Sequence, residues 1–396
     1  CKKGHLSSKG PVLDVSKEMK LTALELAVKD WAMPASEIAR KISDDTWDEY
    51  KGKAITTATT QQLEKAVQDA RRKHGRDYYG PITTPPLSLA ADDSSDMFFQ
   101  FSNSFVLNNE IHKNIGWAHP GITFFLTAAC LHLFIDCTFE CVPTGWAQVL
   151  VIMAYSQVHD YYLPAFYILM SHKSEDDYTM ALQSFISAMN WNLNVLSISV
   201  DFGKALIKAV KMQFREAFIM GCLFHFKQAI RRRLLKLGVS KSEVKELMVR
   251  GGPVDWLTVM PLDEIEEKGI AFVKANFDCG KFSSEFEAFW GYFRDEWLGR
   301  ADPHTWNLTV ALSCEEPLKA MVTRFRTDNA LERFNRTIHS LFSTRPNVVL
   351  FAEKIRAYSQ EVVVELQRIQ GKRSKPAQHS NEGYVPELPA EYASFK

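Results

Sequence analysis

The sequences LHLFIDCTF, residues 131–139, and VLSISVDFGK, residues 195–204, decide the fold of this chain. Each contains an apolar run that ends on an aspartate, Asp136 in the first and Asp201 in the second. Continuous apolar runs of this length, bounded by polar residues, are typical of strands buried inside a sheet. Because open α/β sheets bind ligands at the carboxyl ends of their strands, both carboxylates are predicted to lie at a ligand-binding edge.

The role of these two aspartates has several interpretations. A buried unpaired charge is costly, so each is expected to cap a helix, pair with a base or bind a metal. Asp201 precedes a predicted helix at 202–214, and N-capping of that helix is the alternative to a ligand role. Asp136 has no obvious helix to cap, which favours a ligand role. Two such carboxylates on adjacent strands would converge on a hard cation such as Mg²⁺.

A third carboxylate would complete a two-metal site, and Glu332 is the best candidate. It lies in the sequence RTDNALERFNR, residues 326–336. On a helix, Asn329, Glu332 and Asn335–Arg336 share one polar face. A solvated helix face is the alternative interpretation of the same pattern.

The surrounding segments predict a mixed α/β fold. Short links between the earlier strands favour an antiparallel arrangement. The later strands alternate with helices, which predicts parallel strands in the same mixed sheet. The predicted strands are 97–107, 131–139, 147–157, 162–170, 195–200 and 217–222, and the main helical segments are 174–190, 202–214, 226–237, 231–318, 322–341 and 349–370.

The two ends of the chain differ from this middle part. Residues 1–95 predict an N-terminal helical region and a linker, with a third short helix that ends in the basic run RRKHGR, residues 71–76. Three short helices with a basic last one fit a helix-turn-helix DNA reader, and a small bundle with a solvated charged face is the alternative. The tail, residues 371–396, has few apolar residues and is predicted to be disordered.

Composition limits the class of protein. Of the 396 residues 46% are apolar and 24% are charged, which excludes a wholly disordered chain, a collagen and a coiled-coil rod. The longest apolar stretch, 121–135, is shorter than the roughly 20 residues of a membrane-spanning helix, so no membrane partner is predicted. Seven irregularly spaced cysteines do not indicate a disulfide framework, and an intracellular protein is expected. Because the chain begins at Cys1, a preceding segment is expected.

Charge is uneven along the chain although 47 basic residues balance 47 acidic ones. Residues 204–250 hold twelve basic and three acidic side chains, whereas residues 255–302 hold five basic and eleven acidic ones. A basic stretch can bind nucleic-acid phosphates by counterion release, and solvated helix faces are the alternative. The predicted phosphate contacts are Lys227, Arg231, Arg232 and Arg233.

Cys222 and His225, in the sequence GCLFH, have the spacing of half a zinc site. A complete structural zinc site needs four ligands, and no second half lies nearby in the sequence. A buried cysteine and a histidine satisfied at a strand end are the alternative interpretation.

Taken in order, these features resemble the core of Mutator-like element (MULE) transposases. The resemblance covers residues 97–237 and resumes at 289–358. It rests on the order and spacing of Asp-x-Thr-Phe at 136–139, a helix with Tyr178, the strand that ends at Asp201, Gly-Cys-x-x-His at 221–225, the tryptophans at 290, 297 and 306, and the element around Glu332.

The resemblance implies an RNase H-like catalytic core of the DDE type, interrupted by an all-helical insertion. Asp136, Asp201 and Glu332 would be its three acids, and Cys222 and His225 would have a structural or DNA-contacting role. Asn329 and Arg333 would orient Glu332 or touch the DNA backbone. The implied divisions are an N-terminal region at 1–95, core at 96–230, insertion at 231–318, closing helices at 319–370 and tail at 371–396.

The function implied by the resemblance is metal-dependent cleavage of DNA at transposon ends, followed by strand transfer. Two Mg²⁺ or Mn²⁺ ions would be the cofactors, with zinc a weaker expectation. Double-stranded DNA would be the partner, in terminal repeats and target, with self-association on DNA in the nucleus. The alternatives are a domesticated or defective DNA-binding regulator without catalytic activity, and a protein-interaction module.

Overall fold

A computed structural model describes residues 12–29, 33–74, 78–127, 131–139, 141–156, 159–276, 283–326, 329–342, 345–374 and 385–396. The chain divides into two compact units, which are described separately. The first comprises residues 1–99 and 344–358, and the second residues 100–343 and 359–396. In the described part of the chain, no helix is both long and apolar enough to cross a membrane.

The first unit contains a bundle of three helices, as predicted. Their apolar faces enclose a core that includes Ala23, Ile38, Leu63 and Val67. Arg71, at the start of the predicted basic run, donates hydrogen bonds to the backbone carbonyls of residues 27 and 33 and so ties the helices together. Residues 75–77 lie outside the described part, and DNA binding by this unit stays a prediction. Its elements are β1 (Leu13–Asp14), α1 (Ser16–Lys29), α2 (Ala35–Glu49), β2 (Ile55–Thr56), α3 (Thr60–His74) and α4 (Tyr79–Thr83).

A seven-stranded mixed sheet forms the centre of the second unit and confirms the mixed α/β class. Its spatial order is β3-β4-β7-β6-β5-β8-β9. The pairs β4–β7, β7–β6 and β6–β5 are antiparallel, whereas β5–β8 and β8–β9 are parallel. The strands are β3 (Phe99–Leu107), β4 (Glu110–Trp117), β5 (Leu131–Thr138), β6 (Gln148–Ser156), β7 (Tyr161–Met170), β8 (Val195–Val200) and β9 (Phe218–Gly221).

The helices differ from the predictions at one domain boundary and in one predicted helix. The predicted core boundary at 230/231 falls inside α8, which is continuous across it, and the predicted single helix at 322–341 is two helices, α14 and α15. The helices that follow α4 are α5 (Pro120–Thr123), α6 (Glu175–Ala188), α7 (Lys204–Gln213), α8 (Leu223–Lys236), α9 (Lys241–Leu247), α10 (Pro253–Leu257), α11 (Ile270–Asn276), α12 (Ser283–Phe293), α13 (Thr309–Leu312), α14 (Leu318–Arg324), α15 (Asn329–Leu341) and α16 (Val348–Gln370).

A second core joins α8 to the helices that follow it. Phe226 of α8 stacks on Trp306 and meets the edge of Trp297. The C-terminal residues complete this core, because Tyr392 is 5% exposed and packs against Phe272. The predicted disorder of the tail is therefore wrong for residues 385–396, while residues 375–384 lie outside the described part.

Candidate active site

Asp136 and Asp201 lie side by side at one edge of the sheet. Ile135 and Val200 are register partners in the parallel β5–β8 pair, and the two aspartates directly follow them. Adjacent strands are about 4.8 Å apart, so the two carboxylates leave the sheet at neighbouring positions. This placement at the carboxyl ends of parallel strands is the one that the sequence predicts.

Asp136 is buried and its charge is only partly compensated. Its side chain is 8% exposed, and Asn335 Nδ2 donates a 3.1 Å hydrogen bond to Oδ2. Burial is the main cause that raises the pKa of Asp136, and the negative charge of Asp201 raises it further. The nearby His225 and the hydrogen bond from Asn335 oppose this rise. Because the charge of Asp201 disfavours ionisation of Asp136, a cation placed beside the two carboxylates would stabilise the ionised form of Asp136.

Asp201 is more open to solvent and does not cap the next helix. Its side chain is 46% exposed, and Oδ1 lies 3.5 Å from Nδ1 of His225. The backbone N–H of Phe202 donates to the same oxygen. The residue in the N-cap position of α7 is Gly203, and that helix has no side-chain cap hydrogen bond. The N-capping alternative for Asp201 is therefore wrong.

One face of α15 lies over these aspartates. Asn335 contacts Asp136, and His339 Nε2 forms a 2.7 Å hydrogen bond with Oγ1 of Thr138. Glu332 precedes Asn335 by three residues on this helix, so its backbone position belongs to the same face. The side chains of Glu332 and Asn329 lie outside the described part of the structure, and the third-acid assignment stays a prediction.

The aspartates open into a cleft of about 800 Å³. Helix α8 contributes His225, Gln228 and Arg232 to the cleft, and their spacing of three and four residues places them on one face of the helix. Both polar and aromatic side chains line this cleft. The lining residues are Asp136, Cys137, Thr138, Phe139, Asp201, Phe202, Phe224, His225, Gln228, Ala229, Arg232, Trp297, Asn335, Arg336 and His339.

The predicted DNA contacts on α8 have different environments. Arg231 and Arg232 are exposed, and Arg232 lines the cleft. Lys227 Nζ lies 2.8 Å from a carboxylate oxygen of Asp255, which is 1% exposed. This ion pair compensates the charge of Lys227 within the unit, and its contact with DNA stays a prediction. Arg233 is only partly exposed and places its guanidinium 5.0 Å from the ring centroid of Tyr292.

The uneven charge along the sequence is partly used within the second unit. Besides Lys227, two lysines of the basic stretch pair with acids of the acidic stretch. Lys211 lies 2.5 Å from Asp302, and Lys204 lies 4.0 Å from Glu296. The number of basic residues in the stretch is therefore larger than the number whose charge is available to phosphates. Arg333 and Arg336 add exposed positive charge on α15, and Arg336 lines the cleft.

Cys222 and His225 lie in different environments and have different contacts. Cys222 is fully buried at the start of α8, and its backbone N–H donates to the carbonyl of Val200. His225 instead faces Asp201 across the cleft. Within the described residues, neither belongs to a cluster of three side chains able to hold a metal. The motif thus ties α8 to β8 and brings an imidazole to the aspartates.

Some residues of the cleft carry only a weak sequence signal. Asn335 was part of the predicted polar face, but its contact with Asp136 spans 199 residues of sequence. His339 and Arg336 follow Glu332 at i+7 and i+4, and this helical spacing is the signal that identifies them. Thr138 follows Asp136 at i+2, so both side chains leave β5 on the same face.

Comparison with known proteins supports the resemblance. Residues 132–229 match the MULE transposase domain. The resemblance to MULE transposases is confirmed. The matched stretch of the MULE domain contains Asp136, Asp201, Cys222 and His225, whereas Glu332 lies beyond it.

Among solved structures, the chain is similar to a chain of the Drosophila P element transposase strand transfer complex. The identity is 10% and the TM-score 0.36, over 63% of this chain and 83% of that one. No curated protein sequence matches this chain.

Proposed function

We propose that this chain is a DDE-type transposase of the Mutator-like class. It would cleave DNA phosphodiesters at transposon ends and transfer the freed strand to target DNA, with metal ions as cofactors. The observation that carries the proposal is the neighbouring position of Asp136 and Asp201 at the sheet edge, within the stretch that matches the MULE domain. Double-stranded DNA would be its partner, with self-association on the DNA, and the nucleus its location.

The strand order supports an RNase H-like core as part of this proposal. The order β7-β6-β5-β8-β9 places three antiparallel strands beside two parallel ones, with the aspartates on the central pair. The helices from α8 to α12 have their own core around Trp297 and Trp306. They would form the helical insertion, whose start lies at α8 because Phe226 belongs to that core.

The residues of the cleft fit a site for divalent cations. In the described part of the structure, neither Asp136 nor Asp201 forms an ion pair with a lysine or an arginine. The buried Oδ1 of Asn335 also lacks a hydrogen-bond partner there. Two carboxylates without a lysine or arginine partner, beside an unsatisfied amide oxygen, are the oxygen donors that Mg²⁺ or Mn²⁺ prefers.

Asp136, Asp201 and Glu332 would hold two such ions. Bound there, the ions would supply Lewis acidity and a water of lowered pKa. The chain's own residues position the reaction: Asn335 fixes the carboxylate of Asp136. Arg232 and Arg336 would bind phosphates on opposite walls of the cleft.

The alternative is a transposase-derived DNA-binding regulator without catalytic activity. It would retain the cleft and its arginines and bind DNA without cutting it. A copy that lacks one functional acid gives the same behaviour, so cleavage separates the two functions.

A plasmid-nicking assay with the full chain tests the proposal. Supercoiled DNA is incubated with the protein and Mn²⁺, and the wild type is expected to produce nicks that end in 3′-hydroxyl groups. Asp201→Asn preserves the shape of the site and is expected to remove this activity while DNA binding persists. DNA binding by the wild type without any nicking would favour the regulator, and nicking that survives in Asp201→Asn would contradict the proposed site.

A further inference from the structure

A second cluster of metal-ligating side chains lies outside the cleft. The potential ligand atoms of Glu110, His112 and His172 all lie within 4.8 Å of one another. The cluster joins the start of β4 to the end of β7. It lies at the same edge of the sheet as Asp136 but three strands away, which is about 14 Å across the sheet.

His112 is the fixed member of this cluster. It is 5% exposed, and its Nδ1 lies 2.7 Å from Oδ1 of Asp177. The other carboxylate oxygen of Asp177 accepts hydrogen bonds from the backbone N–H and the hydroxyl of Ser174, so this completely buried carboxylate is held in place. A carboxylate that accepts from Nδ1–H leaves Nε2 of a neutral imidazole as an acceptor, and histidines that bind metals are oriented in this way.

The two other members are less buried than His112, and a 2.8 Å hydrogen bond between Nδ1 of His172 and Oγ of Ser171 leaves Nε2 of His172 for a ligand. The side chain of His172 is 34% exposed, and that of Glu110 is 70% exposed. Nε2 of His172 lies 3.4 Å from Oε2 of Glu110, and its ring stacks on that of His112 with the centroids 3.7 Å apart. Metal–ligand distances of about 2.0–2.2 Å require the ligand atoms to approach by roughly an ångström, which small rotations of the side chains of Glu110 and His172 would supply.

The local backbone explains why these residues meet. Asn108 and Asn109 both have positive φ, 50° and 62°, as a two-residue turn between β3 and β4 requires. This tight turn places Glu110 at the first position of β4. Asn114 pairs with Met170 across β4 and β7, so His112 and His172 emerge at adjacent positions beyond that pair.

We propose that Glu110, His112 and His172 form a zinc site with an open fourth position. Two imidazoles and one carboxylate are a donor set that suits Zn²⁺ rather than the harder Mg²⁺. The ion would fasten the β3–β4 hairpin to the β7–α6 junction. This site is independent of the proposed transposase function, because none of its residues lines the cleft.

Zinc titration of the purified full chain against a chromophoric chelator tests this site. The wild type is expected to bind one zinc ion that His172→Ala and Glu110→Gln bind at least ~100-fold more weakly, since even the loss of an orienting partner costs 10–100-fold. Glu110 is exposed and His172 is only half-buried, so the variants are expected to fold. His304→Ala, at an exposed histidine elsewhere, and Asp136→Asn, in the cleft, are the controls and should retain the zinc.

Three results would overturn the proposal. These are the absence of tight zinc binding by the wild type, unchanged affinity in both His172→Ala and Glu110→Gln, and a zinc ion that is lost in Asp136→Asn instead. The last result would locate zinc at the carboxylates of the cleft.

Discussion

Asn335 donates a hydrogen bond of 3.1 Å to the carboxylate of Asp136 and so joins α15 to β5. Asp136 is buried beside Asp201, and both features raise its pKa. A hydrogen bond to a charged group contributes about 1.5–3 kcal/mol. Asn335 therefore favours the ionised form of Asp136, which is the form that binds a cation.

Replacement of Asn335 is expected to change the pH dependence of metal binding. In Asn335→Ala the pKa of Asp136 should rise further, because a hydrogen bond that opposes this rise is lost, so Mn²⁺ binding should shift to higher pH. Mn²⁺ affinity measured between pH 5 and 8 checks this, with Ser340→Ala on the exposed side of the same helix as control. An identical pH profile in Asn335→Ala and wild type would show that Asn335 does not tune Asp136.

Arg231 and Arg232 form a matched pair for DNA binding. Both are exposed on α8, but only Arg232 lines the cleft. Arg232→Ala is expected to weaken DNA binding and to reduce the slope of log affinity against log salt by about 0.9, the value for one lost phosphate contact. Arg231→Ala should change the slope less. Fluorescence anisotropy over a range of salt concentrations measures both slopes. Equal effects of the two variants would contradict a DNA path through the cleft.

His132 makes the stability of the second unit depend on pH. It is buried on β5 between Ser197 and Ser199, and burial lowers its pKa to about 3. Because the unfolded chain binds this proton near pH 6.5, stability is complete above that pH and is lost as the pH falls towards 3, by up to about 1.4 kcal/mol per unit. His132→Gln should flatten the dependence of the unfolding free energy between pH 7.5 and 5. His304→Gln, at an exposed site, should leave the slope as in the wild type, and a steep slope in His132→Gln would refute the assignment.

The C-terminal segment is expected to stabilise the helical core. Tyr392 packs on Phe272, and its hydroxyl donates a 2.8 Å hydrogen bond to Glu264. Tyr392→Ala removes a buried aromatic side chain, which typically costs about 3–5 kcal/mol. Chemical denaturation should show this loss, with little change for the exposed Ser394→Ala. Equal unfolding free energies of the two variants would contradict this packing and would support the disorder that the sequence predicts for the tail.

The sequence predicts the parts of the fold that depend on local pattern. The apolar runs of β5 and β8 and their terminal aspartates were predictable because a short continuous apolar run bounded by polar residues is typical of a buried strand. The strand β4 was missed because EIHKNIGW contains polar residues whose burial depends on distant partners, as Asn114 and the backbone carbonyl of Asp177 show.

Side-chain partners far apart in sequence account for the remaining differences. Lys227 lies in a basic stretch that predicts DNA contacts, but its ammonium group forms an ion pair with Asp255. Tyr392 lies in a polar, proline-containing tail and is buried only because the helical core offers it a site. The neighbouring positions of Asp136 and Asp201 were expected from strand ends, whereas the contact of Asn335 with Asp136 depends on the path of the chain between them.

Binding of Mn²⁺ by the full chain, followed by electron paramagnetic resonance, tests the central claim most directly. It needs no knowledge of the DNA sequence, and it examines the pairing of Asp136 and Asp201 itself. The wild type is expected to bind Mn²⁺, and Asp136→Asn and Asp201→Asn should each lose that binding while keeping the fold and the affinity for DNA. Mn²⁺ binding that is the same in all three proteins, or absent from the wild type, would contradict a metal site at the two aspartates.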